Sequence, residues 1–270
     1  MAKIGFIGAG NMAEAIIKGI IDAKVYKPDE IFLTDIRSDR VEQLCKQYKT
    51  KSAVGNCELV KAVNIIILSV KPQNFPQVLD EIKQAVNKKH LIVSIAAGIT
   101  TSRIQKSLGD VPVIRVMPNT PALVGQGAAA LYAVPQAVGR LKEVERIFSA
   151  VGLAVTVDDE SLIDAVTAVS GSGPAYFFLL MEQMIKAAVK LGLTKETAEK
   201  LVLQTAKGAG ILAVESAGKG LSPDVLRKNV TSPGGTTEAA IAVFSKYDFE
   251  KMVNDAIVAA ADRSKELSGR

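Results

Sequence analysis

The chain has 270 residues, of which 48% are apolar and 23% charged, enough to bury a large core and to exclude a mainly disordered protein. It contains one histidine, two cysteines and no tryptophan. This composition excludes most Cys/His metal clusters and serine–histidine catalytic couples, so we predict no metal site. Any catalysis has to rely on other groups.

Compartment and partners follow from simple features of the sequence. Cys45 and Cys57 have neither a zinc-binding spacing nor a disulfide framework, which indicates reduced thiols. Residues 1–8 contain too much glycine for a secretory signal, and the longest apolar run, 63–70, is far short of a membrane span. The net charge of +5 forms no basic arm or stripe. We expect a soluble cytoplasmic protein without a nucleic-acid or membrane partner.

Residues 1–160 predict an α/β, Rossmann-like domain with a doubly wound parallel sheet. Short β-branched runs alternate with segments of helical spacing, which is typical of parallel strands covered by helices on both faces. The predicted strands are residues 4–7, 30–34, 63–69, 90–95 and 111–116, and the predicted helices cover about 11–23, 38–48, 72–86 and 100–107.

Residues 161–270 predict an all-α domain, and we place the boundary near 158–162. The predicted helices run from 172–174 to about Lys190, from Thr194 to about Glu215, and onward from a third start at 222–224. Several are apolar on more than one face, as at residues 175–181. A small monomeric bundle has no need of so much apolar surface, so we expect a homo-oligomer.

A glycine-rich segment, residues 8–13 (GAGNMA), directly follows the first predicted strand and opens a helix. In this setting the pattern predicts dinucleotide binding, with the phosphates on free N–H groups at the helix N-terminus. The alternative is a glycine-rich turn in an α/β domain without a ligand. The predicted cofactor-binding residues here are Phe6, Ile7, Gly8, Ala9, Gly10, Asn11 and Met12.

The choice between NAD and NADP stays open. Asp35 at the end of the second strand would accept hydrogen bonds from the ribose of NAD, whereas Arg37 could pair with the 2′-phosphate of NADP. Asn56 could reach the nucleotide or cap a helix. Segments that follow two later strands should line the same crevice, and they comprise Ser69, Val70, Lys71, Pro72, Ala96, Ala97 and Gly98.

Three further segments carry a family resemblance: residues 115–121 (RVMPNTP), 170–175 (SGSGPA) and 229–237 (NVTSPGGTT). With them the chain resembles pyrroline-5-carboxylate reductases from end to end. The resemblance implies a helical domain that dimerises, often into a ring of five dimers, and reduction of L-1-pyrroline-5-carboxylate to L-proline with NADPH or NADH in the last step of proline biosynthesis. It further implies that the third segment approaches cofactor and substrate across the dimer, through Asn229, Ser232, Gly234, Gly235, Thr236 and Thr237.

The third segment also makes chemical sense by itself. Backbone N–H groups at a helix N-terminus can receive a small carboxylate, although a glycine-rich turn with a threonine cap has the same sequence pattern. A cyclic imine is readily protonated and then accepts hydride, so positioning can carry the rate without a strong acid or base. By resemblance Thr237 is the catalytic candidate, as a hydrogen-bond partner of the ring nitrogen rather than a general acid. His90 is expected to be structural.

Two other functions fit parts of the sequence. A 3-hydroxy acid dehydrogenase has a similar architecture and uses a lysine of its helical part, for which Lys186, Lys190 and Lys207 are available. These lysines have the spacing of a solvated helix face. A non-catalytic nucleotide sensor would bind the cofactor without turnover, but it would have no use for the third segment.

Overall fold

A computed structural model describes residues 3–269 of the chain. The chain divides into two compact units, the first comprising Met1–Pro174 with Ala259–Arg270 and the second Ala175–Val258. The division into 1–160 and 161–270 follows a change of sequence pattern and stays a prediction, because compact units and functional domains need not share their ends.

The first unit is built on one eight-stranded sheet with the order β3-β2-β1-β4-β5-β6-β7-β8. All neighbouring strands are parallel except β6 and β7, which are antiparallel. The strands are β1 Ile4–Ile7, β2 Ile31–Thr34, β3 Lys51–Ser52, β4 Ile65–Leu68, β5 Leu91–Ser94, β6 Val113–Met117, β7 Gly127–Ala133 and β8 Gly152–Thr156. Every residue of β1, β4 and β5 is buried, as in strands covered on both faces.

Helices follow most of these strands. The helices up to residue 166 are α1 Asn11–Asp22, α2 Ser38–Tyr48, α3 Asn56–Ala62, α4 Phe75–Ile82, α5 Thr101–Leu108, α6 Leu141–Ser149 and α7 Leu162–Val166. The predicted helix over 72–86 is shorter, because Pro72–Asn74 forms a separate 3-10 turn before α4. A π-helical turn, Thr167–Gly171, follows α7.

The predicted parallel arrangement is confirmed for the five predicted strands, and the sheet differs from it where an unpredicted strand joins. Neither β7 nor β8 was predicted, and β7 joins the sheet antiparallel to β6. The sequence of β7, GAAALYA, is rich in glycine and alanine, which are depleted in strands. The third missed strand, β3, is only two exposed residues long. Tertiary pairing, rather than local preference, makes these three segments strands.

The remainder of the chain is helical, as predicted. Its helices are α8 Gly173–Lys190, α9 Lys195–Ala217, α10 Pro223–Asn229, α11 Thr236–Lys246 and α12 Phe249–Leu267. Thr194 caps α9 through its hydroxyl, which accepts a hydrogen bond from the Thr197 N–H at 3.2 Å.

By length and composition alone, the segment Leu162–Lys190 could cross a membrane, with a mean hydropathy of 1.2.

Candidate active site

A cleft of about 850 Å³ opens at the carboxyl ends of β1, β2 and β4 in the first unit. The strand order reverses between β1 and β4, and ligands of open α/β sheets bind at such a crossover point. Nine of the predicted cofactor-binding residues line this cleft, namely Ile7, Gly8, Gly10, Asp35, Arg37, Asn56, Ser69, Val70 and Lys71. The volume lies within the range of small-molecule sites.

The two loop glycines have different physical roles. Gly8 has a φ of +102°, and a Cβ atom there would lie 2.8 Å from the carbonyl carbon and oxygen of Ser69. The tight turn and its contact with the Ser69 backbone therefore require glycine. A Cβ atom at Gly10 would have no neighbour within 4 Å. Gly10 instead leaves its backbone open toward the cleft, where a phosphate group could approach it.

The peptide groups of Gly8 and Ala9 are already hydrogen-bonded. The Gly8 N–H donates to the Thr34 carbonyl at 2.8 Å, and the Ser69 hydroxyl donates to the Gly8 carbonyl at 2.7 Å. The Ala9 N–H donates to Asp35 Oδ2 at 2.6 Å, and Arg40 Nε donates to the Ala9 carbonyl at 3.1 Å. These four hydrogen bonds fix the glycine-rich loop at the residues that precede α1.

The N–H groups at the start of α1 are available to a ligand. Helix α1 has Gly10 as its N-cap, and no side chain caps it. The first N–H groups of a helix have no intrahelical partner and meet the positive end of its dipole. Such N–H groups, here those of Gly10, Asn11 and Met12, are the kind that bind phosphates in proteins.

Asp35 and Arg37 lie beside each other at the end of β2. Burial raises the pKa of Asp35, but the N–H groups of Ala9 and Arg37 outweigh it, and the net effect is a pKa below the ordinary value. Arg37 Nε lies 3.4 Å from Asp35 Oδ1. The side chain of Asp35 is 11% exposed and that of Arg37 is 57% exposed. Arg37 is the more accessible of the two to a ligand.

Asn56 begins α3 and bridges two sides of the cleft. Its Oδ1 accepts a hydrogen bond from the Thr34 hydroxyl at 2.7 Å, and its Nδ2 donates to Glu81 Oε2 at 2.8 Å. Gly55 is the N-cap of α3, and no side-chain cap bond is present. The alternative reading of Asn56 as a helix cap is therefore wrong.

The other predicted cofactor residues of this unit do not line the cleft. Phe6 and Ala9 are fully buried, Ala96 is 6% exposed, Met12 and Ala97 are half-buried, and Asn11 and Pro72 are exposed. Gly98 has a φ of +73°, and a Cβ atom there would lie 2.9 Å from the Leu267 carbonyl oxygen. The positive φ and the contact with the end of α12 both require glycine at position 98.

The third resemblance segment lies in the second unit. Asn229 ends α10, and the loop after it leads into α11, which begins at Thr236. Gly234 has a φ of +71°, and its N–H donates to Glu238 Oε2 at 2.7 Å. No side chain among residues 3–269 caps α11, and the first N–H groups of a helix have no intrahelical partner. Thr237 is half-buried in this first turn.

The first two resemblance segments are joined directly to each other. Asn119 Nδ2 donates to the carbonyl and hydroxyl oxygens of Ser170 at 3.2 and 3.3 Å, and its Oδ1 accepts from the Ala128 N–H at 2.8 Å. Ser170 lies in the π-helical turn, a conformation that occurs frequently at functional sites. These contacts fix the turn that leads into α8.

A buried arginine connects the sheet to the start of the helical region. Arg115 of β6 is 1% exposed, and its guanidinium donates to Glu160 Oε1 at 2.9 Å. Glu160 also accepts from the N–H and the hydroxyl of Thr101, at 2.8 and 2.6 Å. A buried arginine needs such a hydrogen-bonded carboxylate to offset its loss of water.

Comparison with known proteins decides the family. The description "Pyrroline-5-carboxylate reductase dimerisation" matches residues 160–267, and "NADP oxidoreductase coenzyme F420-dependent" matches residues 3–98. A pyrroline-5-carboxylate reductase of Pseudomonas aeruginosa is 46% identical over 268 residues, covering 98% of this chain and 97% of its own. One of Synechocystis is 41% identical, covering 98% of both chains. The chain belongs to the pyrroline-5-carboxylate reductase family.

Solved structures of the family agree over the whole chain. The Coxiella burnetii pyrroline-5-carboxylate reductase superposes with a TM-score of 0.92 at 40% identity, covering 99% of this chain and 98% of that one. The Plasmodium falciparum pyrroline carboxylate reductase, solved with NADP bound, gives 0.87 at 32% identity, with the same coverage. The resemblance, the fold class and the reductase function are confirmed. The full-length matches favour this function over the dehydrogenase and sensor alternatives.

The chain is accordingly an NAD(P)H-dependent oxidoreductase acting on pyrroline-5-carboxylate in proline biosynthesis. It carries the dimerisation region of the family. That region includes the whole of Leu162–Lys190, so association with another subunit accounts for the apolar surface of this segment. Lys186, a lysine of the dehydrogenase alternative, pairs with Glu182 on the exposed face of α8.

Proposed function

We propose that the cofactor binds in the cleft of a nucleotide domain, residues 1–160, with its diphosphate on the free N–H groups of Gly10, Asn11 and Met12. The observation that carries this proposal is the uncapped start of α1 at the crossover of the sheet. Asp35, Arg37 and Asn56 lie on the side of the cleft that takes the adenosine ribose, while Ser69, Val70, Lys71 and Pro72 follow β4 along the same edge. The loop after β5, with Ala96, Ala97 and Gly98, borders the nicotinamide.

The substrate binds, in this proposal, to the helical domain of residues 161–270. The carboxylate of pyrroline-5-carboxylate accepts hydrogen bonds at the start of α11 from the segment of Ser232, Gly234, Gly235, Thr236 and Thr237, while Asn229 contacts the cofactor. The uncapped first turn of α11 supports this assignment. The segment belongs to one subunit and acts on the cofactor of the other across a dimer.

The reaction requires few acid–base groups. The bound nicotinamide supplies the hydride, which the carbon of the C=N bond accepts. A protonated ring nitrogen takes the electron pair of that bond and becomes the secondary amine of proline. The Thr237 hydroxyl holds this nitrogen in place by a hydrogen bond, so the residues of the chain mainly orient the reacting atoms.

We further propose a soluble cytoplasmic enzyme that is at least a homodimer and assembles further into a ring of five dimers. Thirteen apolar side chains of residues 173–217 are more than 40% exposed in the single chain, which supports burial between subunits. Sedimentation of the purified protein measures the mass and distinguishes the dimer from the decamer. A monomer at assay concentrations would contradict the proposal.

The activity is tested by incubating the purified protein with pyrroline-5-carboxylate and NADPH or NADH and following the loss of nicotinamide absorbance. We expect oxidation of the reduced cofactor with stoichiometric formation of proline. A parallel assay with 3-hydroxy acids and NAD or NADP tests the dehydrogenase alternative. A well-folded protein that binds cofactor but oxidises neither NADPH nor NADH would support the sensor alternative and refute the reductase assignment.

A further inference from the structure

The backbone of Ala9 is held on both sides of its Cα atom by charged side chains. Its N–H donates to the Asp35 carboxylate at 2.6 Å, and its carbonyl accepts from Arg40 Nε at 3.1 Å. Ala9 lies between Gly8 and Gly10 in the glycine-rich loop. Bonds to charged groups are stronger than neutral ones, so these two contacts fix the orientation of two successive peptide groups, Gly8–Ala9 through its N–H and Ala9–Gly10 through its carbonyl.

Arg40 is itself fixed by neighbouring residues of α1 and α2. Its guanidinium pairs with Glu14 and donates to Gln43 Oε1 at 2.9 Å, and its side chain is only 14% exposed. Glu14 in turn accepts from the Tyr48 hydroxyl at 2.9 Å. Burial and the Glu14 carboxylate raise the pKa of Tyr48 to about 12, so Tyr48 remains a donor at every working pH. These contacts hold the Arg40 guanidinium against the glycine-rich loop.

The Asp35 carboxylate is likewise held by hydrogen bonds within the chain. Its Oδ2 accepts from Ala9, and its Oδ1 accepts from the Arg37 N–H at 3.0 Å. A carboxylate whose two oxygens are occupied by its own chain has less capacity for a ribose hydroxyl. Arg37, which is 57% exposed, has no hydrogen-bond partner for its terminal nitrogens within residues 3–269.

We propose that Asp35 and Arg40 are positioning residues that hold two successive peptide groups, Gly8–Ala9 and Ala9–Gly10, and so aim the free N–H groups of Gly10, Asn11 and Met12 at the cofactor diphosphate. This inference rests on the proposed cofactor site in the cleft. NADH and NADPH share the diphosphate, so the two positioning residues support both cofactors alike. Discrimination at the ribose 2′ position falls to Arg37.

The test compares steady-state constants for NADH and NADPH in matched variants. For Asp35→Ala and Arg40→Gln we expect KM to rise by the same factor for both cofactors, about 5- to 20-fold, with kcat and the KM for pyrroline-5-carboxylate changed less than twofold. Asp35→Asn keeps an oxygen that accepts from Ala9, so it restores most of the affinity for both. Arg37→Gln weakens NADPH alone.

Lys18→Gln, at an exposed pair with Asp22 on α1, is the surface control and should change neither constant. The double variant Asp35→Ala/Arg40→Gln should cost less than the product of the two single effects, because both residues hold the backbone of the same residue, Ala9. Thermal unfolding of each variant checks that it is folded.

Either of two results overturns the positioning roles. Asp35→Ala could weaken NADH selectively, which would make Asp35 a ribose ligand, or Arg40→Gln could leave both cofactor constants unchanged. A direct titration of the wild-type protein by nicotinamide fluorescence separates these outcomes from failure of the proposed site. If neither cofactor binds the wild type, the cofactor site itself is wrong; if both bind, only the positioning roles are at stake.

Discussion

Thr237 is the residue on which the proposed chemistry depends most. It lies half-buried in the first turn of α11. For Thr237→Ala we expect kcat to fall about tenfold or more, since a lost hydrogen bond to a buried polar group costs roughly 1–3 kcal/mol, while the KM for the cofactor changes little. Ser245→Ala, on the exposed part of the same helix, is the control. An unchanged kcat would remove Thr237 from the reaction.

We expect the titration of His90 to make the stability of the protein, rather than its catalysis, depend on pH. Its Nδ1 accepts from the Asn87 N–H at 3.0 Å, and burial lowers its pKa from the ordinary 6.5. The unfolded chain therefore binds a proton before the folded one does, so this contribution to stability is complete above about pH 6.5 and is lost as the pH falls through the folded pKa.

For His90→Gln we expect retained reductase activity and a smaller decrease in the free energy of unfolding between pH 7.5 and 5.5. Urea unfolding at the two pH values measures the difference, with the wild type as control for the carboxylates that titrate in both proteins. An equal decrease in the two proteins would show that His90 does not titrate on unfolding, and a loss of activity would contradict its structural role.

Among the elements, the end of α12 makes an unusually close contact with the loop after β5. At Gly98, a new Cβ atom would lie 2.9 Å from the Leu267 carbonyl oxygen, and the φ of +73° disfavours any other residue. We expect Gly98→Ala to lower the free energy of unfolding by about 2 kcal/mol and to raise the KM for the cofactor, because the loop has to shift.

Gly139→Ala is the matched control for this variant, since a Cβ atom there has no neighbour within 4 Å. Thermal and urea unfolding should show little change in the control. Wild-type stability of Gly98→Ala would mean that the loop and the last turn of α12 can move apart at no cost.

The elements differ in how well the sequence alone predicts them. Buried strands rich in β-branched residues, such as β4, can be predicted from their own sequence. The glycine-rich loop can be predicted from its position between a strand and a helix. The alanine-rich β7 has no local sequence pattern that predicts a strand, because its strand conformation comes from pairing with β6. Likewise, nothing local indicates that Arg40 contacts Ala9, since 31 positions separate them.

At the scale of the whole molecule, association with a second copy should be necessary for turnover. Phe178 on α8 is 60% exposed in the single chain and lies in the region that matches the family's dimerisation domain. For Phe178→Asp we expect a monomeric protein, because a charge buried between subunits costs several kcal/mol. Sedimentation gives the mass, and cofactor fluorescence tests the nucleotide cleft.

The expected pattern for this variant is loss of reductase activity with cofactor affinity unchanged within about threefold, since every residue of the cleft lies in the first unit. Lys200→Ala, which alters an exposed charge on α9, should leave both mass and activity as in the wild type. A monomeric Phe178→Asp protein with full activity would contradict the proposed contribution of a second subunit to the site.

The membership of residues 259–269 in the first unit has a consequence for synthesis. A ribosome makes the sheet first, then the helices of Ala175–Val258, and only afterwards the part of α12 that packs on Gly98. At 5–20 residues per second, the last contacts of the nucleotide-binding unit form roughly 5–20 s after Pro174 is made. Until then the loop after β5 lacks the packing that the last turn of α12 gives it.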